Sequence, residues 1–150
     1  MSPMTGMRQL SMGRPMMTTY KIRTKEEYEE RVVRSIKPTL VMWHKPSCSD
    51  CKDLFFKLED TVDLVDGLDL VKADVTYLKE QMDEVMEKGF NAVPTITAMI
   101  HGEKMGSITG PLNDEQVRFF VKEMLRLKRN RQYNNGQGQG VSKVPEARTG

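Results

Sequence analysis

Two cysteines, two histidines and one tryptophan in 150 residues leave little material for several kinds of site. Two cysteines are too few for the multi-bridge framework of a small secreted domain. A closed zinc site wants four ligands, and with no second ligand pair at zinc-finger spacing the remainder would have to come from His44, His101 or acids. No apolar run is long enough to cross a bilayer. A glycine-rich phosphate loop and a serine, histidine and acid constellation are both absent. Charge of one sign is also lacking: 23 Lys and Arg stand against 21 Asp and Glu, a net of +2, so the total favours neither nucleic acid nor an anionic membrane. The basic run Arg126-Leu127-Lys128-Arg129-Asn130-Arg131 fits a solvated helix end suited to the dipole. What remains is a single-domain, soluble chain with one apolar core.

Composition separates a core from two tails. Residues 1–16 are rich in Met, Gly, Ser and Pro, carry Arg8 and Arg14, and are followed by no acid before Glu26. Such a basic, acid-free start is compatible with a mitochondrial transit segment, the alternative being an untargeted flexible leader in a cytoplasmic protein. Met1, Met4 and Met7 offer thioether spacing for a soft ion, a weak signal in a flexible tail. Residues 129–150 are polar and glycine-rich and carry too little apolar surface to offset the entropy of ordering, so a disordered tail is expected. The domain is expected over 17–128.

Within it the pattern alternates. A strand over Met17 to Ile22 precedes Thr24-Lys25-Glu26-Glu27, a capping box ahead of a helix carrying Tyr28, Val32, Val33 and Ile36. Pro38 closes that helix, and Thr39 to His44 is an almost unbroken apolar run, the mark of a central strand covered on both faces. Directly after it come Lys45-Pro46-Ser47-Cys48-Ser49-Asp50-Cys51-Lys52 and a helix with Leu54, Phe55, Leu58, Val62 and Val65 on one stripe. A strand over Leu68 to Val75 and a helix over Tyr77 to Lys88, stopped by Gly89, follow. Thr95 to Ile100 and Lys104 to Thr109 flank His101-Gly102-Glu103 as an antiparallel hairpin. Asn113 caps a last helix whose Val117, Phe120, Val121, Met124 and Leu125 face the sheet, with Phe119 also at packing spacing. The fold class is α/β: a mixed sheet of about five strands flanked by about four helices.

The cysteine pair opens a helix at a strand end. Unpaired N–H groups and the positive end of the dipole there favour a thiolate at Cys48. That sulfur can attack a disulfide, and Cys51 can release the mixed product. Ser49 and Asp50 lie between the sulfurs; the Asp50 charge disfavours a second anion, while Lys45 and Lys52 oppose it. His44 is close enough in sequence to act on the thiol, provided its side chain does not face away.

With Cys48-x-x-Cys51 after a buried strand, Ala92-Val93-Pro94-Thr95 at the start of the hairpin, Gly102 in its turn and Gly110 after it, the chain resembles the thioredoxin family over 17–128. Thr18-Thr19-Tyr20 and Glu30-Arg31-Val32-Val33-Arg34-Ser35 look most like its mitochondrial branch. Lys45 resembles the basic residue of glutaredoxins, which normally lack the first strand and helix. The resemblance implies a protein disulfide reductase with Cys48 as exposed nucleophile, Cys51 as buried resolving thiol and Pro94 as a cis-proline. The substrate groove would run along Val93, Pro94, Thr95, Gly110 and Ser47. The dithiol would need no other cofactor. Its partners would be protein disulfides and a thioredoxin reductase, and the chain would act as a monomer.

The departures are specific. Thioredoxins usually read Trp-Cys-Gly-Pro-Cys, whereas Ser47 stands at the aromatic and Asp50 at the proline. Met42 occupies the place where the family buries an acid beneath the resolving cysteine, and Lys72 stands where a lysine accompanies it. A half-buried ammonium at Lys72 could still favour a Cys51 thiolate by charge. Turnover is therefore expected to be reduced, and a redox-responsive binding module with little or no turnover is the alternative.

Overall fold

The computed structural model describes residues 19–133 and 147–148, so the expected leader over 1–16 and most of the polar tail lie outside it. In chain order the elements are β1 (Thr19–Ile22), α1 (Lys25–Tyr28) running on as a π-helical stretch (Glu29–Val33), β2 (Thr39–His44), α2 (Ser49–Val62), β3 (Asp69–Asp74), α3 (Val75–Val85), β4 (Thr95–Ile100), β5 (Glu103–Thr109), α4 (Asp114–Tyr133) and β6 (Ala147–Arg148). The sheet order is β1-β3-β2-β4-β5-β6, with β1, β3 and β2 parallel and the β4/β5 hairpin antiparallel to β2. This is the expected α/β fold, a mixed sheet flanked by four helices. Two observations fall in the span expected as a tail: α4 continues to Tyr133, and the two-residue β6 pairs with β5.

β2 is central, and its side chains divide between two cores. Leu40 and Met42 pack under α2 and α4, whereas Val41 and Trp43 pack against α1 and α3 on the other face. All four are fully buried, which is why the run reads as continuously apolar rather than alternating. Burying a side chain of this size is worth roughly 1.5–3 kcal/mol, so the strand that carries the cysteines at its end is firmly held. On the second face the Tyr28 and Trp43 rings meet at 5.7 Å, and the Trp43 indole N–H donates to Thr97 Oγ1 at 3.2 Å.

Local signals fix most element ends. The Thr24 capping box is formed in both directions, Glu27 N–H to Thr24 Oγ1 and Thr24 N–H to Glu27 Oε1, each at 3.1 Å. Asn113 and Gln116 make the same reciprocal pair at the start of α4. The third helix starts earlier than expected because the Asp74 carboxylate accepts from Thr76 N–H at 2.9 Å, and it ends at Val85. At the hairpin tip His101 and Gly102 both have positive φ, 52° and 78°, as a two-residue turn of the I′ kind requires. A Cβ on Gly102 would lie 2.9 Å from the Val33 carbonyl oxygen, so the turn is pressed onto the end of the π-helical stretch.

Three expected core residues are exposed. Val33 faces solvent because the helix widens after Tyr28: Arg34 N–H bonds to Glu29 O at 2.8 Å, an i to i+5 step that rotates it off the buried stripe. Ile36 is exposed because the helix ends at Val33 rather than continuing to Pro38, which leaves Ile36 in the irregular segment before β2. Phe119 is also exposed, since Phe120, Val121, Val117 and Met124 already fill the face of α4 that meets the sheet.

Candidate functional site

The turn after β2 delivers Cys48 to the N-cap of α2. Cys48 N–H bonds to Lys45 O at 3.1 Å, and Cys48 Sγ accepts the N–H of Cys51 at 3.1 Å. Cys48 and Cys51 form a disulfide with Cα atoms 5.2 Å apart. Their environments differ: Cys51 is buried within the core that holds Met42, Leu54 and Leu58, while Cys48 is half-exposed against the edge of that core. Ser47, Ser49 and Asp50 are all exposed around it. A partly exposed cysteine whose sulfur receives a backbone N–H, beside a second that is buried, is an arrangement in which the first can meet an outside partner and the second can act only internally.

Val93, Pro94 and Thr95, the residues expected along a substrate groove, come from the start of the hairpin. Thr95 pairs with Trp43 across β4 and β2, so Val93 and Pro94 enter the sheet beside the end of β2 that leads to Cys48. The Val93–Pro94 bond is cis. Gly110 N–H donates to Pro94 O at 2.8 Å, tying the loop to the end of β5, and Gly110 has a φ of 101° that suits glycine. Thr95, wholly buried, donates to Ala92 O at 2.7 Å and shares a 3.1 Å hydrogen bond with Thr109 Oγ1. This hydroxyl clamp was not read from the sequence; the signal was a threonine facing a threonine across a hairpin whose register the turn already sets.

Beneath the disulfide, Met42 is fully buried and pairs directly with Lys72 of β3. The Lys72 ammonium stands 4.5 Å from the centre of the Phe55 ring, one helical turn after Cys51. Burial first, and then the Lys21 charge, hold Lys72 below its ordinary 10.5, with Glu59 pulling the other way. His44, which the sequence left unoriented, ends the same alternation as Leu40 and Met42 and so belongs to the α2 face. Burial lowers its imidazole from the ordinary 6.5, Lys72 adds to that, and Asp74 with a backbone hydrogen bond at Lys45 opposes it.

His101 lies in the hairpin turn. Because β4 runs antiparallel to β2, that turn is at the other end of the sheet from His44, roughly 17–20 Å away for a six-residue strand. The two histidines cannot join one zinc site with the cysteines. Among the described residues, no three His, Cys, Asp or Glu side chains gather as a metal site would require.

Known proteins share this sequence pattern and fold. The sequence profile of the thioredoxin family matches residues 19–123, from β1 into α4. A Caenorhabditis elegans protein named "Probable thioredoxin-2" is 34% identical over 125 residues, covering 83% of this chain and 82% of that one. The mitochondrial thioredoxin of Bos taurus is 30% identical over 109 residues, 72% of this chain and 64% of its own length. Among solved structures, a Malassezia sympodialis thioredoxin superposes with a TM-score of 0.61 at 18% identity over 73% of this chain and 93% of its own. A mutant thioredoxin from Halobacterium salinarum gives 0.61 at 16% identity, over 73% and 95%. With the Cys48–Cys51 disulfide at the tip of its central strand, the chain belongs to the thioredoxin family and is a thiol-disulfide oxidoreductase.

Proposed function

We propose that the protein reduces disulfides in other proteins. The Cys48 thiolate attacks one sulfur of the substrate disulfide, forming a mixed disulfide and releasing the first substrate thiolate. Cys51 then attacks Cys48 Sγ, forming the intramolecular disulfide and releasing the second. Two electrons pass from the dithiol to the substrate, and a thioredoxin reductase restores them. The observation that carries this reading is the asymmetry of the pair, a half-exposed Cys48 whose sulfur accepts the Cys51 N–H beside a Cys51 that is 1% exposed. An extended substrate segment would lie along Val93, Pro94, Thr95 and Gly110, using the Val93 backbone as a strand uses its neighbour, with Ser47 at the rim. Lys72, Ser49 and Asp50 would set the balance between thiol and thiolate.

The test is steady-state reduction of a protein disulfide by the full chain with thioredoxin reductase and reduced nicotinamide cofactor. Turnover that vanishes in Cys48→Ser supports the reading; binding of a substrate without turnover in the native chain overturns it. That second result is what a redox-responsive binding module would give, and the fully buried Met42 in place of an acid is the observation that favours it. For location we propose the mitochondrion, on the basic, acid-free residues 1–16 and the mitochondrial relatives. A reporter fused to residues 1–30 that spreads through the cytosol would refute this.

A further inference from the structure

We infer that His44 is the group that takes the proton from Cys51 when the mixed disulfide is resolved, in place of the carboxylate that Met42 displaces. The assignment rests on the disulfide-reductase reading above and concerns its second step.

Strand geometry supplies the placement. Leu40 and Met42 both lie in the core that contains Cys51 and borders Cys48. The pairing of β2 with β3 stays in register through Met42 with Lys72, Trp43 with Ala73 and His44 with Asp74, so no bulge turns His44 to the opposite face. Two residues along a strand advance about 6.6 Å on the same side. His44 is therefore one step from Met42 toward the strand end, at the level where Cys48 caps α2 and Cys51 occupies its first turn. Met42 is deep and has no acid–base chemistry; His44 is half-buried and has it.

The surrounding charges suit a proton that arrives and then leaves. Lys72 of β3 and Lys21 of β1 disfavour imidazolium, and so does burial, which leaves the ring neutral and able to accept at neutral pH. Asp74 of β3 and the backbone at Lys45 support the cation once it forms. From α2, Glu59 and Lys52 act on Lys72. The step balances: Cys51 loses its proton to the imidazole as its sulfur bonds to Cys48 Sγ, the bond from Cys48 to the substrate sulfur breaks, and the substrate leaves as a thiolate. Imidazolium then returns the proton to solvent or to that thiolate.

The test uses the reduced full-length chain and dithionitrobenzoate, an aromatic disulfide that releases a coloured thiolate at each step. The first release depends on reagent concentration and reports Cys48; the second does not and reports Cys51. His44→Gln should slow the second release by about tenfold or more at neutral pH and remove its fall on acidification below about pH 6.5. The first release should change far less. His44→Gln combined with Met42→Asp should regain the second rate, a rescue that a merely packing role for His44 does not predict. An unchanged second rate and pH profile in His44→Gln would overturn the assignment while leaving the dithiol reading intact. Release of only one thiolate per native chain at any pH would overturn both.

Discussion

Lys72 stands directly opposite Met42 in the parallel register of β2 and β3, so a half-buried ammonium faces a thioether where its partner in the family is an acid. The ammonium rests against the Phe55 ring, and the opposing charges acting on it are Glu59 and, more weakly, Asp74. Placing an acid at 42 gives Lys72 a partner and gives Cys51 a second proton acceptor beside His44. Met42→Asp should therefore speed disulfide reduction at neutral pH. Loss of the packed side chain and burial of a carboxylate should lower stability by about 2–4 kcal/mol. Turnover and urea unfolding of one preparation check both signs, and an unchanged rate would remove the role given to position 42.

Thr95 should affect substrate recognition more than thiol chemistry. Its hydroxyl is buried and holds Ala92 O and Thr109 Oγ1, which fixes the backbone leading into Val93 and Pro94. Thr95→Val keeps the shape but leaves the Ala92 carbonyl without this donor, a loss of about 1–3 kcal/mol in unfolding free energy. The expected kinetic outcome is a raised KM for a protein disulfide with nearly unchanged alkylation of Cys48 by iodoacetamide. Equal loss in both assays would place Thr95 in the cysteine chemistry instead.

His44 also links folding to pH. Its folded-state value lies below the 6.5 of an unstrained histidine, so between the two the unfolded chain binds more protons than the native one. The contribution is present above about pH 6.5 and is lost as pH falls through that value toward the lowered one. Unfolding free energy should fall on acidification through this window, and His44→Gln should flatten the slope. A steeper slope in the variant would contradict the sign.

Much of this architecture was legible because single residues carried single meanings. The Thr24 box, the Asn113 cap, the apolar run before Cys48 and the His101-Gly102 turn each specify local geometry that no distant contact overrides. The burial of Cys51 was implied by the family resemblance, and in the structure Cys51 packs with Leu54, Phe55 and Leu58. Val33 was misplaced because the widening after Tyr28 leaves no mark in a 3.6-residue pattern, and Ile36 because the helix stops at Val33, before the proline expected to close it. Phe119 was misplaced because adjacent phenylalanines at 119 and 120 compete for one face, and periodicity alone does not say which wins. The facing of His44 was open until the register of β2 was known, since an alternating face is visible in sequence only when one of the two faces is polar.

Asp50 has two consequences of opposite sign. It lies exposed in the first turn of α2, where a negative charge is favourable to the helix dipole, and it falls between the two cysteines in sequence, where it opposes a thiolate at Cys48. A unit charge about 6 Å away in water-like surroundings changes the thiolate's free energy by roughly 0.7 kcal/mol, or about threefold in population. Asp50→Asn should raise the rate of Cys48 alkylation at slightly acidic pH by that factor and make the dithiol less reducing, because a better-stabilised thiolate favours the reduced form. The same change should cost the fold about 0.3–1 kcal/mol through the helix terminus. Both effects should shrink in high salt, since the charge is exposed and screened. Alkylation of the reduced chain at two salt concentrations separates this electrostatic account from a change in turn shape, which salt would leave in place.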